Sequence, residues 1–321
     1  MILPDHARGW IGRAAKAGRE LLREQRLDVV ISSGPPHSAH FAAWLATRGN
    51  DTAFWIDMRD PWSITHEMNA PDDRIILAER WLLRRLERFV FPRATKVIVN
   101  TNEFAEKLGK TDANLDVVWL PNGIDTEMLP TRDVSAVACG SIACIGTLYA
   151  GRSLSVVLAA MAKLMKIRPH DASMLRLDVA GLMQPRHRDK LEAEISAAGL
   201  TSYVRIHGAL PRAQALDLLN RSHLALVLAQ DQPMCVPAKL YECVGLTVPT
   251  LVIAEKTAAA TIEARRIGAM ALETDDVDGM QSLLDDMISG RMPAAIEPAT
   301  PISYADLAAR LDRLLSEAPE S

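Results

Sequence analysis

Cysteine is scarce in this chain: Cys139, Cys144, Cys235 and Cys243 are the four among 321 residues, with no CxxC pair and no zinc-ligand spacing. That scarcity excludes a disulfide or zinc framework and points to a reduced, cytoplasmic protein. Long apolar runs are also missing. No stretch reaches the ~18 uninterrupted apolar residues of a membrane-spanning helix. The opening MILPDHARGW has no apolar core of the signal-peptide kind, so no leader is expected. An excess of positive charge is absent as well. The net charge is −4, which argues against a dedicated nucleic-acid binder.

What is present is ordinary in kind and large in amount. Hydrophobic residues make up 49% of the chain and charged residues 24%, as in a water-soluble globular fold. A length of 321 residues exceeds one ordinary core, so two domains are expected. Strand and helix patterns alternate almost throughout. DVVISS (28–33), AFWID (53–57), KVIVN (96–100) and DVVWL (116–120) form a first set of strands, with a long helix over about 72–91. A turn-rich break, PNGIDTEMLPTRDVSA, follows. SIACIG (141–146), LRLDVAG (175–181), YVRIHG (203–208), HLALVL (223–228), VPTLVIA (248–254) and AMAL (269–272) form the second set.

Near-continuous apolar strands separated by helices mean parallel sheets covered on both faces. The fold class is therefore α/β with two doubly wound, Rossmann-like domains. Residues 1–128 form the first, 129–300 the second, and 301–321 a terminal helix and tail able to pack on either. The first domain opens on a helix, HARGWIGRAAKAGRELL, and shows fewer strands than the second, so its beginning is expected to be missing. An unpaired sheet edge would result, which is an aggregation liability.

The stretch VPAKLYECVG, Val236 to Gly245, places Lys239 and Glu242 on one face of a short helix between two apolar strands. Pro237 suits its first turn. In an open parallel sheet, ligands bind at the carboxyl ends of the strands, where helix N-termini favour anions. Lys239 adds a full positive charge there, and Glu242 offers acceptors to a diol, a pattern that fits a nucleoside diphosphate. The plainer alternative is a surface ion pair contributing under ~1 kcal/mol.

Other polar or glycine clusters follow strands in both halves. SSGPPHSAH brings His37 and His40, and DMRDPW brings Asp57, Arg59 and Asp60. PNGID, GTLYAGR with Gly146 and Arg152, AGLMQPR with Gly181, and HGALPR with His207, Gly208 and Leu210 complete the set. Each is also readable as turn chemistry, and Arg59 with Asp60 as a mutual or capping ion pair. Recurrence at strand ends of both halves favours a binding cleft. The segment from Arg74 to Lys96 interleaves Arg80, Arg84, Arg85, Arg88 and Arg93 with Trp81, Leu82, Leu83, Leu86, Phe89 and Phe91. Peripheral contact with an anionic inner membrane is one reading, and a core helix with a basic solvent face is the other.

In their order, SSGPPHSAH, WIDMRDPW, LPNGID, IGTLYAGR, HGALPRAQALDLLNRSHLALVL and VPAKLYECVG resemble glycosyltransferase family 4 of the GT-B fold, nearest to bacterial members that build surface polysaccharides. The resemblance spans about residues 5–290 and implies two Rossmann-like domains facing a central cleft. It implies retaining transfer of a sugar from a UDP- or GDP-linked donor to a glycan or lipid-linked acceptor, with no metal and no cofactor. Carried over, Glu242 holds the donor ribose, and Arg152 with Lys239 neutralises the diphosphate. Gly146, Gly181, His207, Gly208, Leu210, Val236 and Pro237 complete the donor-binding set. Asp57, Arg59, Asp60 and His37 lie where the family's first domain meets donor sugar and acceptor.

Three positions depart from the family. Met234 stands where many members carry a first glutamate, Thr147 where many carry an arginine, and Asp57 with its neighbours where many carry a histidine. The first two departures also occur in the branch with the P-x-K-x-x-E pattern. Two other functions stay open: a donor-binding remnant without a competent acceptor site, and a nucleotide-sugar 2-epimerase.

Overall fold

The computed structural model describes residues 4–62, 74–148, 151–297, 299 and 303–317. Asp72, at the expected helix start, and Tyr149 and Ala150 of GTLYAGR lie outside the described residues. So do the side chains of Arg74, Glu79 and Arg80. The chain forms two compact units: Met1–Asn122 with Ala305–Ser321, and Gly123–Tyr304. The division falls inside the turn-rich break, ahead of residue 128, because Ile124 is already buried in the second unit's core.

In the first unit, β1 (Val29–Gly34), β2 (Ala53–Met58), β3 (Lys96–Val99) and β4 (Val117–Trp119) make one parallel sheet in that order. Helix α1 (Ile11–Glu24) packs on α2 (Ser38–Thr47). They meet at Gly18, where a Cβ would stand 2.8 Å from that of Ala46, so only glycine permits the approach. Next along the chain come α3 (Arg74–Val90) and α4 (Asn102–Thr111). Thr101 caps α4 by accepting from the Phe104 N–H. Among the described residues, strand β1 lies at one edge of this sheet, and its Ile31 is 40% exposed.

The second unit has six parallel strands in the order β10-β9-β8-β5-β6-β7. These are β5 (Ser141–Ile145), β6 (Arg176–Ala180), β7 (Val204–Gly208), β8 (Leu224–Leu228), β9 (Thr250–Ile253) and β10 (Met270–Leu272). The chain starts at the centre, winds out through β6 and β7, then returns to place β8 beside β5 on the other side. That reversal is the topological switch point of an open α/β sheet.

Helices cover both faces of this sheet. Leu177, Val179, Leu226 and Ile253 point to α5 (Ser155–Ile167) and, past α6 (Pro169–Ala172), to α7 (Pro185–Ala197) and the later α11 (Val277–Ile288). Ala143, Ala225, Val227 and Val252 point the opposite way, to α8 (Arg212–Asn220), α9 (Ala238–Gly245) and α10 (Ala259–Arg266). Every residue of β8 is buried, which is why its sequence reads LALVL without alternation. At about 1.5–3 kcal/mol per fully buried aliphatic side chain, this two-sided burial dominates the unit's stability.

The last helix, α12 (Tyr304–Ser316), belongs with the first unit from Ala305 onward. Leu307 is buried, and Arg310 donates to the Trp119 carbonyl at 3.0 Å.

Candidate functional site

Three glycines mark the carboxyl ends of β5, β6 and β7, at φ +140° (Gly146), +156° (Gly181) and +73° (Gly208). Backbone bonds stitch them side by side: Gly146 N to Ala180 O at 2.9 Å, and Gly181 N to Gly208 O at 2.7 Å. A Cβ on Gly181 would sit 1.8 Å from the Gly146 carbonyl oxygen, so no larger residue fits. Around Gly146 the space for a Cβ is open within 4 Å. The three turns thus present backbone at the end of the sheet where open α/β folds bind ligands.

Arg152 lies just ahead of α5, which starts at Ser155. Its guanidinium donates to Thr147 O at 3.1 Å and to Gln232 Oε1 at 3.3 Å, so it bridges the loops after β5 and β8. Gln230, buried after β8, donates to Ser153 O at 2.7 Å and tightens the same junction. A cavity of about 470 Å³ lies beside Arg152, with Arg186, His187 and Lys190 on its wall and Glu194 opposing their charge.

On α9, Lys239 Nζ meets Glu242 Oε2 at 2.5 Å, as one helical turn dictates. The other carboxylate oxygen, Oε1, accepts from Arg212 Nη2 at 3.1 Å. Arg212 opens α8 directly after HGALP, and spacing alone gave no reason to pair it with Glu242. Helix α9 is seated by Leu240, Tyr241, Cys243 and Val244, all buried, and this turns Lys239 and Glu242 to the other side. Val236 is buried and Pro237 takes the cap position before Ala238. The Cys243 thiol, enclosed on that inner face, is pushed up to about 12 by burial, so it stays a thiol.

The His207 side chain is held within the sheet. Its Nε2 pairs with Asp178 Oδ1 at 2.5 Å across β7 and β6, so the ring is engaged within the sheet. Gly208 and Leu210 then leave backbone groups, not the imidazole, at the strand end.

The first unit has its own cluster of strand ends. Ser33 donates to Asp57 Oδ2 at 2.7 Å between β1 and β2. Arg59 pairs with Asp57 at 3.4 Å, donates to Leu120 O at 3.3 Å and also hydrogen-bonds Asn122 Oδ1. The Asn100 side chain donates to the Arg59 carbonyl. Arg59 thus ties together the ends of β2, β3 and β4, and its ion pair runs to Asp57, the alternative of a pair with Asp60 not being formed as a close contact. Asp60 carries a carboxyl raised by desolvation and pulled back in part by Arg59. His37 stacks on Trp62 with ring centroids 4.7 Å apart. Behind it, fully buried His40 shares a hydrogen bond of 2.8 Å with Ser32, and desolvation with His37 nearby drives its pKa down to about 3.

Among the described residues, no group of three His, Cys, Asp or Glu side chains is arranged to hold a metal ion. Nor is any described helix long and apolar enough to cross a membrane.

Residues 3–123 match the model of the glycosyl transferase 4-like domain. Solved structures match across both units. HepE from Anabaena, in complex with UDP and glucose, aligns at 14% identity and TM-score 0.70 over 99% of this chain and 84% of its own. A glycosyltransferase from Rickettsia africae aligns at 15% and 0.65 over 99% and 84%. Sucrose-phosphate synthase from Thermosynechococcus elongatus aligns at 12% and 0.64 over 99% and 80%. No curated protein matches the chain in sequence. Two parallel-sheet Rossmann-like units of this kind define the GT-B glycosyltransferase fold. The chain thus has the GT-B fold, and its first unit resembles the glycosyl transferase 4-like domain.

Proposed function

We propose that the chain is a retaining, metal-independent glycosyltransferase. It moves a sugar from a UDP- or GDP-linked donor to a glycan or lipid-linked acceptor in surface-polysaccharide synthesis. The observation that carries this reading is Glu242: a carboxylate held at both oxygens by Lys239 and Arg212 in the unit that also carries the glycine turns and Arg152. A carboxylate so fixed keeps acceptor capacity for the two hydroxyls of a ribose.

The bond between the sugar's anomeric carbon and the diphosphate oxygen breaks as the acceptor oxygen bonds to that carbon. The electron pair leaves with the diphosphate. Arg152 and Lys239 offset the charge that builds there, which is electrostatic stabilisation of the transition state. They take the part a metal ion plays elsewhere, and the nucleotide sugar is substrate, not cofactor. Gly146, Gly181, Gly208, Leu210, Val236 and Pro237 supply close-approaching backbone for the diphosphate and base, and His207 holds the edge strand behind them. Asp57, Asp60 and His37 are the acceptor-side groups, with Arg59 fixing Asp57. The raised carboxyl of Asp60 suits it to receive the acceptor's proton.

Peripheral attachment to the inner face of the cell membrane completes the proposal. Trp81 is 59% exposed with Arg85 5.0 Å from its ring, and Arg93 lies 3.8 Å from the Phe89 ring. Paired aromatic and cationic groups of this kind suit an anionic lipid interface. Flotation with vesicles containing anionic lipid should carry the protein, and neutral vesicles should not.

The deciding experiment is a thermal-shift titration with UDP, GDP, ADP and TDP, since a ligand bound to the folded state raises its melting temperature. One nucleotide is expected to shift the transition, and Glu242→Ala and Arg152→Ala should each weaken that shift. Equal response of both variants and the parent would remove the donor site from these residues.

A further inference from the structure

We infer that Arg212 is a positioning residue that gives the donor site its preference for ribose over 2′-deoxyribose. The inference rests on the donor-site reading above and gives Arg212, one of the two cations that hold Glu242, a role of its own.

The geometry is specific. Glu242 Oε2 is held at 2.5 Å by Lys239 from its own helix, and Oε1 at 3.1 Å by Arg212 from the first turn of α8. One cation alone leaves a carboxylate free to swing about its last torsion, which is broad and roughly two-fold. Two cations on different oxygens, from two different elements, fix the plane of the group. Each oxygen has about two acceptor sites, so each keeps one for a ligand hydroxyl. A pair of adjacent hydroxyls then finds two acceptors already in place.

Burial supports the assignment. The Glu242 side chain is 20% exposed, whereas Arg212 is 49% exposed and Lys239 38%. A half-exposed ion pair contributes little to stability, under ~1 kcal/mol, so fold maintenance does not explain Arg212. Its consequence is geometric. Arg212 also follows Gly208 to Pro211, the segment after β7, so the contact ties that segment to the glutamate of α9. The ends of two separate crossovers are thereby kept in register around one carboxylate.

A site built to hydrogen-bond a hydroxyl rejects the analogue that lacks it, because its acceptors are left unmatched. The fixed carboxylate therefore discriminates against a missing 2′-hydroxyl, and a carboxylate free to rotate does so less.

The test measures Kd by calorimetry for UDP, GDP and their 2′-deoxy counterparts with the parent, Arg212→Ala, Arg212→Lys and Glu242→Gln. The parent should favour the ribonucleotide about tenfold or more. Arg212→Ala should bring that ratio to about threefold or less with an unchanged melting temperature, and Arg212→Lys should restore part of it. A parent-like ratio in Arg212→Ala, with the ratio lost in Glu242→Gln, overturns the role of Arg212 and leaves the donor site standing. A parent that binds neither nucleotide, or one that ignores the 2′-hydroxyl, overturns the inference at its base. In the first of those two cases the donor-site reading falls as well.

Discussion

The Tyr241 hydroxyl donates to Glu263 Oε1 at 2.7 Å, on the face of α9 opposite Lys239 and Glu242. Glu263 is 6% exposed and is gripped a second time by Arg266, at 2.6 and 2.7 Å. The helix that carries Lys239 and Glu242 of the proposed donor site is therefore anchored through its back to α10 by a buried, charge-assisted bond.

Replacing Tyr241 with Phe keeps the ring and deletes that bond. Glu263 retains Arg266, so no bare charge is left, and the loss should be about 1–2 kcal/mol. Urea unfolding at fixed pH measures it. Nucleotide affinity should fall by a small factor only, because Lys239, Arg212 and Glu242 keep their mutual contacts. A loss under a few tenths of a kcal/mol would mean the hydroxyl adds nothing to the anchoring.

Two glycines of the site separate steric from conformational demand. Gly181→Ala places a Cβ 1.8 Å from a backbone oxygen and should lower stability by 3 kcal/mol or more, on the order of the largest single-site effects. Gly146→Ala meets open space and pays only the strain of its φ of +140°, about 1–3 kcal/mol. The new methyl of Gly146→Ala projects into the space assigned to the donor, so its nucleotide affinity should drop. Melting curves with and without nucleotide report both quantities.

His40 makes stability depend on pH. Its folded pKa of about 3 lies below the ordinary 6.5, so below pH 6.5 the unfolded chain binds a proton that the folded chain refuses. Stability is then fullest above pH 6.5 and falls as the pH drops, by about 2 kcal/mol between pH 6.5 and 5. His40→Gln should flatten that slope in urea titrations at the two pH values. An unchanged slope would place the proton elsewhere.

Arg59 draws the ends of β2, β3 and β4 together through Asp57, Asn100, Leu120 and Asn122. Arg59→Lys cannot reproduce a planar fork. It should destabilise the first unit by about 1–2 kcal/mol while leaving nucleotide affinity intact. Loss of nucleotide binding in that variant would give Arg59 a direct part in the donor site.

The strands were legible from sequence because both faces of each parallel sheet are buried. A run such as LALVL has no polar position to break it, and helices between the runs set the topology class. Lys239 and Glu242 were legible because a helical turn brings neighbours three apart together. Arg212 was not, because its partner lies thirty residues on, on another crossover, and nothing local encodes that meeting. The partner of the His207 ring was hidden for a related reason. Asp178 on the next strand, invisible to spacing, engages its ring. Arg59 and Asp60 looked like a pair because they are adjacent, but successive residues at a strand end point apart, and Arg59 reaches back to Asp57.

The placement of β8 beside β5 has a consequence for how the molecule comes into being. Ile142 pairs with Leu224, and β6 and β7 are laid down between them in the chain. A nascent chain can therefore zip β5 to β6 and β7 while the other edge of β5 still waits, its hydrogen-bonding groups unmet. Until β8 and the α9 that follows it arrive, the proposed donor site has Gly146 and Arg152 but not Lys239 or Glu242. If the proposed donor site binds nucleotide, that binding during refolding reports the sheet's pairing across β6 and β7, and the interval before it is when β5 is most open to joining the wrong edge.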